Sequence, residues 1–538
     1  MFRSSNFIKT IIEKDLRNKK YKKVITRFPP EPNGFLHLGH ARSIVINFEL
    51  AKLFGGKTYL RYDDTNPNKE KQNYVTSILE DVEWLGYKPH KICYASDYFE
   101  EIFQKAIVLI KKGLAFVDDS DAEELKQTRG DLNKSGINSR YRNRSIEVNL
   151  DLFNKMKKGF FKQGEKVLRA KIDMASLNMN LRDPVLYRII DAYTLKNQHH
   201  FIFPSYDFAH PLEDSIEKIS HSLCSLEFED HRPLYNWVLK ETEVEHFPTQ
   251  IEFGRLNLNQ TVLSKRKLKF LIDCSLVKDW DDPRMPTLIG MKNRGYTPES
   301  IKSFILEIGL SKNNNSVDQN MLNSSVRNDL EYKAKKIMIV EEPLKVTIIN
   351  YDENKIESRK VPFHNNLDLG ERTVFFSKHI YIEKKDFQME KLDAKSKKLF
   401  LNGEVRLLYF YFIKAVDVIK DKNGEIIEIL ATYDPQTKSG TSFKERKPNG
   451  TIHFVEKNTF QKNIVNFYQP LFKNDIPIDL EKDFNKKSCI SKEVLVEGGI
   501  KHMNNYEKFQ FIRKGYFCFI HCLDKSSYFN EIISLKKN

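Results

Sequence analysis

Residues 24–43, VITRFPPEPNGFLHLGHARS, decide the fold. VITRF (24–28) is rich in β-branched and aromatic side chains and reads as a short strand. The prolines, asparagine and glycine of PPEPNG make a turn. From about His40, the side chains of Ile44, Phe48 and Ala51 share one helical face, and Gly55-Gly56 closes that helix. KTYLRYDD (57–64) is strand-like at its centre and polar at its end. Strand, loop, helix and strand in that order form a βαβ unit. Its strands should be parallel and its crossover right-handed, which puts ligand chemistry at the carboxyl ends of the strands.

Outward from this unit the grammar changes twice. Upstream, Ile8, Ile12 and Leu16 mark a first helix. From 97 to 199 the chain alternates helical and strand-like pieces, such as FEEIFQKAIVLIKKGLAF, EKVLRAKIDM and PVLYRII, and reads as an insertion. HHFIFPSYDF (199–208) and QIEFGRL (250–256) are expected to resume and complete the nucleotide-binding sheet. Residues 257–332 read as helices, with Thr297 as an N-cap followed by Pro298 and Glu299. After 333, strands alternate with Asn402-Gly403, Asn423-Gly424 and Asn449-Gly450, each expected to turn a tight hairpin. KAVDVIKDKNGEIIEILATY and KPNGTIHFV are the clearest examples, and a third of the chain built this way suggests β-barrels.

The 538 residues correspond to three or four domains at roughly 150 residues each, too many for a minimal binding module. Lys plus Arg number 88 against 73 Asp plus Glu, a net +15 that suits a polyanionic partner. Hydrophobic residues at 40% suffice for packed cores. No apolar run approaches the roughly 20 residues of a membrane span, and no signal-peptide pattern opens the chain, so a cytoplasmic protein without membrane contact is expected. The cysteines at 93, 224, 274, 489, 518 and 522 are scattered, as in a reducing compartment. Cys518, His521 and Cys522 lack a fourth ligand, so neither zinc nor another protein-held metal is expected.

Two stretches carry chemistry. His37-Leu38-Gly39-His40 sits between strand and helix, where a helix N-terminus offers N–H groups to phosphate and Gly39 lets a nucleotide approach. Two imidazoles a turn apart can donate to oxygens that gain charge in a transition state. The alternative is one capping and one core histidine. Val262-Leu263-Ser264-Lys265-Arg266-Lys267 supplies a lysine that can follow a moving phosphoryl group, unless it is a solvated basic turn.

Together the two stretches resemble the paired signatures of class I aminoacyl-tRNA synthetases. RFPPEPNGFLHLGHARS, LRYDDTNP, DVEWLGY, ASDYF, YRNRS, LRAKIDMAS, RDPVLYRI, YDFAHPLEDSIEKISHSLCSLEFEDHRPLYNW, GRLNLNQTVLSKRKL and WDDPRMPT are similar to the glutaminyl branch of that family. EVRL, TYDPQT and FQFIRKGYFC extend the likeness more thinly to the end. The resemblance implies a multidomain α/β architecture. A Rossmann-type catalytic domain (1–96 and 200–256) carries an inserted acceptor-stem-binding domain (97–199), followed by a helical subdomain with the Ser-Lys loop (257–332) and two anticodon-binding β-barrels (333–538). It implies ATP-dependent activation of L-glutamine to an adenylate and transfer to the 3′ end of tRNA(Gln), with release of AMP and pyrophosphate, Mg2+ as companion of ATP, and a monomer.

By the same resemblance His37, His40 and Lys265 are catalytic. The ATP site is lined by Glu31, Pro32, Asn33, His37, Leu38, Gly39, His40, Ala41, Arg42 and Ser43, and closed by Ser225, Arg255, Leu256, Leu263, Ser264 and Lys265. Asp63 is implied for the substrate ammonium and Tyr206 for the side-chain end, with Arg27, Cys224 and Gln250 shaping that pocket. A neutral thiol at Cys224 favours an amide over an acid. Leu132, Asp230 and Lys336 are implied tRNA contacts. Val262 stands where the generic class I signature opens with lysine, although valine is normal in this branch; Leu263 is a conservative swap for the usual methionine, and Lys336 stands where arginine is expected. A glutamyl enzyme of the β-barrel type, a small-molecule adenylyltransferase and a non-enzymatic RNA-binding protein remain as alternatives.

Overall fold

The computed structural model describes residues 6–391, 393, 395–500, 502–521 and 527–535. Cys522, one corner of the rejected metal pattern, lies outside them. The chain opens with α1 (Phe7–Arg17), whose Asn6 side chain accepts from Lys9 N and whose Ile8 and Ile12 are buried. Next come β1 (Ile25–Phe28), α2 (Leu38–Leu53), β2 (Lys57–Tyr62), α3 (Gln72–Trp84) and β3 (Lys91–Tyr94). The three strands are parallel in the order β1-β2-β3, with Ile25 opposite Lys57 and Leu60 opposite Ile92. The helix that was expected to start near His40 begins at Leu38, because His37 itself is the cap. Apolar residues on α2 are buried on nearly every side, since the helix lies between the sheet and the helices that follow the Ser-Lys loop. Gly56 lets α2 turn back tightly, as a Cβ there would lie 2.1 Å from Val24 O.

The insertion comprises α4 (Phe99–Lys111), β4 (Ala115–Asp118), α5 (Ala122–Thr128), α6 (Ile146–Lys157), β5 (Val167–Ala170), β6 (Val185–Tyr193) and β7 (His199–Pro204). Its four strands form one antiparallel sheet in chain order. This corrects the expectation for 199–208. HHFIFP does not resume the parallel sheet; it pairs with β6, Ile189 opposite Ile202. Its alternating apolar pattern suits either sheet, and β6, reachable through a short turn, takes it. The parallel architecture returns only after α7 (Tyr206–Ile216), with β8 (His221–Ser225), α8 (Arg232–Glu241) and β9 (Thr249–Phe253). β8 reaches β1 through Ser220 N donating to Ile25 O at 2.9 Å.

Helices α9 (Lys265–Asp273), α10 (Leu288–Arg294), α11 (Pro298–Ile308) and α12 (Gln319–Leu330) follow. Thr297 caps α11 as expected, its hydroxyl accepting from Ser300 N at 3.2 Å. The remaining chain forms two small two-stranded sheets and two seven-stranded ones. The terminal strands of one are Lys335–Ile337 and Ile339–Val340, and those of the other are Thr451–Ile452 and Phe454–Glu456. Each pair of edges belongs to one continuous stretch of chain, bent at Met338 or His453, so each sheet must roll round into a barrel. Phe412–Lys420 and Ile426–Asp434 make the expected hairpin, with Gly424 at φ +84°. The other two asparagine-glycine pairs do not turn hairpins. Thr451–Ile452 after Asn449-Gly450 pairs in parallel with Arg406 and Leu407, while the Asn449 amide donates to Ser396 O and Lys398 O. Leu399–Phe400 and Glu404–Leu407, on either side of Asn402-Gly403, pair with other strands.

One apolar core joins the nucleotide fold to the far barrel, running from Phe28 and Ile44 through Leu288 and Phe304 to Cys518 and Ile532. At the junction Gly295 adopts φ +106°, and a Cβ there would lie 2.4 Å from Cys518 Cβ. No helix among the described residues is long and apolar enough to cross a membrane.

Candidate active site

An open cleft of about 1110 Å³ lies at the carboxyl ends of β1, β2 and β8. The two signature stretches, more than 200 positions apart in the chain, face each other across it. The Lys265 ammonium donates to Asn33 Oδ1, and a Cβ on Gly34 would touch the Lys265 side chain at 3.6 Å. Behind them, Leu38 N donates to Pro286 O and Leu288 N to Leu36 O, so the end of WDDPRMPT is stitched onto the strand entering α2.

The two histidines cap α2 reciprocally. Gly39 N donates to His37 Nδ1 and His37 N donates to His40 Nδ1, both at 3.1 Å. Both rings are neutral: burial holds His37 down to about 3, and burial and the His37 ring hold His40 well below the usual histidine range. A neutral imidazole whose Nδ1 accepts carries its proton on Nε2. The backbone therefore sets both tautomers as Nε2–H donors. It also consumes the donors that were expected to seat phosphate at the helix end: Leu38 N, Gly39 N and His40 N already meet Pro286 O, His37 Nδ1 and His37 O. α9 is different, because its cap Ser264 makes no side-chain cap hydrogen bond, so its first-turn N–H groups remain open to an anion.

Of the expected ATP-site residues, Glu31, Asn33, His37, Gly39, His40, Arg42, Ser43, Ser225, Arg255, Leu256, Leu263, Ser264 and Lys265 line the cleft. Pro32, Leu38 and Ala41 do not; the side chains of Leu38 and Ala41 enter the core, as their place on the inward face of α2 requires. Arg255 is held at the mouth by an ion pair with Glu227. Burial lowers the affinity of Lys265 for its proton, while Glu31 opposes that shift.

Arg27, Asp63, Tyr206 and Cys224 line the other end of the cleft. Asp63 accepts from Thr65 Oγ1 at 2.7 Å, and burial raises its pKa above the usual carboxylate range. Its neighbour Asp64 is structural, accepting from Ser96 N and Oγ at 2.8 and 2.6 Å. The Cys224 thiol is neutral, pushed up to about 12 by burial. Gln250 is set back from the cleft in a separate small pocket with Tyr206, Cys224 and His231. Its amide donates to Phe228 O and Glu252 Oε1, so it can shape the amino-acid pocket only through neighbours.

Sequence reasoning missed what stands behind Arg27. This guanidinium is fully buried, meets Asp214 Oδ1 at 3.0 Å and donates to Leu223 O and Ser222 Oγ. Asp214 also pairs with Arg61 at 2.7 Å, and Arg61 meets Glu213 and Glu217 at 3.0 and 2.7 Å. Against burial, Arg27 and Arg61 hold the Asp214 carboxyl far below its usual range, whereas burial raises Glu213 strongly although Arg61 opposes it. The signal was present as His210, Glu213, Asp214 and Glu217, polar at helical spacing on a helix whose whole face is buried. Also missed was the segment Asp475–Pro477 of the distal barrel, which reaches the cleft mouth. It is tied there by Gln260 N donating to Asp475 O, and by Leu471, Phe472 and Phe484 packing on Val262, Leu268 and Leu271.

The implied RNA contacts lie elsewhere. Leu132 is 77% exposed on the insertion, Asp230 is exposed and its carbonyl accepts from the Asn178 and Asn180 amides, and Lys336 lies in a barrel strand opposite Gln510.

Comparison with known proteins gives matches over the same parts. The catalytic-domain model of class I tRNA synthetases (E and Q) matches residues 23–332, and two anti-codon binding domain models of the same group match 334–434 and 451–520. A glutamine–tRNA ligase from Clostridium kluyveri is 52% identical, with 99% of this chain and 98% of the relative covered. One from Pseudomonas syringae pv. tomato is 47% identical over 96% and 92%, and one from Buchnera aphidicola subsp. Acyrthosiphon pisum is 47% identical over 99% and 96%.

Proposed function

The chain belongs to the class I tRNA synthetases of the E and Q type, and from that premise we infer its reaction and the roles of its residues. It is a glutamine–tRNA ligase: L-glutamine is activated by ATP to glutaminyl-adenylate, and the acyl group passes to the 3′ end of tRNA(Gln). The observation that carries the residue roles is the meeting of Lys265 with Asn33 in a cleft shared with His37 and His40.

In the first step a glutamine carboxylate oxygen attacks the α-phosphorus in line and the P–O bond to pyrophosphate breaks. His37 and His40 donate from Nε2 to phosphate oxygens that gain negative charge, and the Lys265 ammonium follows the leaving pyrophosphate. Neutral donors suit this role because they need no proton transfer. Mg2+ enters as part of the nucleotide substrate and neutralises its phosphates. In the second step the terminal ribose hydroxyl attacks the acyl carbon and AMP leaves.

Glutamine rather than glutamate follows from charge. Asp63 takes the ammonium. At the side-chain end Tyr206 and the neutral Cys224 thiol meet the amide, and Arg27, whose charge is matched by Asp214, is not free to receive a γ-carboxylate. Leu132 and Asp230 contact the acceptor end, Lys336 and the barrels the anticodon, and the enzyme acts as a cytoplasmic monomer. Charging of tRNA(Gln) with radiolabelled glutamine against glutamate tests this reading. Acceptance of glutamine alone is expected, with loss of charging but retained tRNA binding for His40→Ala; efficient glutamate charging would overturn the substrate assignment.

A further inference from the structure

We infer that Arg188 is the seat of the phosphodiester that immediately precedes the 3′-terminal nucleoside of the tRNA. This rests on the reading of the cleft as a tRNA-charging centre. β6 carries Arg188 from the inserted sheet into the cleft wall, between Val167 on one neighbouring strand and Phe203 on the other. Its Nη2 donates to Thr65 O at 3.1 Å, whereas its Nε–H is buried with no hydrogen-bond partner. A guanidinium offers five donors and no acceptor, and a buried donor left unpaired is costly, so the position calls for an anion with several oxygens. The neighbouring Asp63 is turned to Thr65 instead, its Oδ1 accepting from Thr65 Oγ1 and N.

The identity of the anion follows from where the other charges lie. His37, His40 and Lys265 meet at the nucleotide end of the cleft and take the nucleotide phosphates. Asp63 receives the amino acid's ammonium, and its carboxylate must face the α-phosphorus. The remaining reactant is the RNA end, which comes in from the insertion, the element that owns Arg188. For the terminal ribose to reach the acyl carbon near Asp63 and Tyr206, its 5′ phosphate must lie on the insertion side of the cleft. A planar guanidinium grips such a phosphate with two parallel N–H donors.

The test uses the full-length enzyme with Arg188→Gln and Arg188→Lys, and two tRNA(Gln) substrates: intact, and lacking its 3′-terminal nucleotide together with that phosphate. Binding is measured over a series of KCl concentrations. Arg188→Gln should weaken intact tRNA on the order of tenfold, and the slope of log K against log salt should fall by about 0.7, the value for one phosphate contact to a single strand. Arg188→Lys should keep the slope while losing part of the affinity. Wild type and both variants should bind the shortened tRNA equally, with KM for ATP unchanged. Equal affinity for intact tRNA, an unaltered slope in Arg188→Gln, or a loss that persists with shortened tRNA would overturn the assignment. If Arg188→Gln does not fold, Arg188→Lys decides alone, through a weakening present with intact and absent with shortened tRNA. A wild type that fails to charge glutamine would instead remove the reading beneath it.

Discussion

The reciprocal histidine cap separates two jobs that a single side chain performs, and substitution at His40 can take them apart. Its Nδ1 accepts from His37 N, and the residue lines the cleft with Nε2–H left as its donor. In His40→Asn the amide oxygen stands where Nδ1 stood, so the cap survives and the cleft-facing donor is lost. In His40→Ala both are lost. Removing one donor aimed at developing charge costs about 100- to 1000-fold in rate, about 2.7–4 kcal/mol, and losing a cap costs about 1 kcal/mol of stability. Both variants should therefore show the same rate deficit in single-turnover charging with saturating ATP and tRNA. In urea titration Ala should be about 1 kcal/mol less stable than Asn. Because both imidazoles work in the neutral state, the wild-type rate should show no rise as pH falls through 6.5, the ordinary histidine value. A rate increase there would mean that imidazolium is the working form. Full activity in His40→Asn would refute the donor role altogether.

Asp63→Asn should raise KM for glutamine on the order of tenfold in the charging assay and leave KM for ATP in place, because a charge-assisted contact to the ammonium is lost. Asp214→Asn leaves Arg27 and Arg61 without their shared counter-charge, so denaturant titration should register a loss of about 3–5 kcal/mol. Gly295→Ala forces a side chain into a left-handed backbone and onto Cys518, and should cost about 1–3 kcal/mol by the same measurement. His37 is neutral in the fold down to about 3 but protonates near 6.5 when unfolded, so its contribution is complete above 6.5 and declines as pH falls from 6.5 towards 3. The cap-preserving His37→Asn should accordingly lose less stability than wild type between pH 7 and 4.5 in denaturation midpoints.

The distal barrel reaches the cleft through direct contacts. Segment Asp475–Pro477 belongs to the distal barrel, yet it borders the cleft, and its neighbours Leu471, Phe472 and Phe484 share a core with the helix that begins at Lys265. Displacement of that segment would move Val262 and the Ser-Lys loop with it. The same barrel packs through Cys518 and Ile532 into the core that also holds α2, so it is joined to the catalytic part at a second place.

Features that depend on neighbours in the chain are legible in the sequence. The βαβ unit, the Thr297 cap and the hairpin at Asn423-Gly424 rest on local spacing, and all stand in the fold; the meeting of His37-His40 with Ser264-Lys265 is implied by the family resemblance instead. The misreadings share one cause. HHFIFP alternates as any strand does, and only competition between two sheets assigns it to β6. An asparagine-glycine pair sets a backbone angle but not the partner of the strand beyond it, as Asn449-Gly450 demonstrates. Likewise the tautomers of the histidines, the matching of Arg27 by Asp214, the unpaired donor of Arg188 and the arrival of Asp475 at the cleft come from contacts between distant segments. Such contacts leave no periodic trace in sequence, because periodicity records which face of an element is buried, whereas the partner that buries it is chosen by how the whole chain packs.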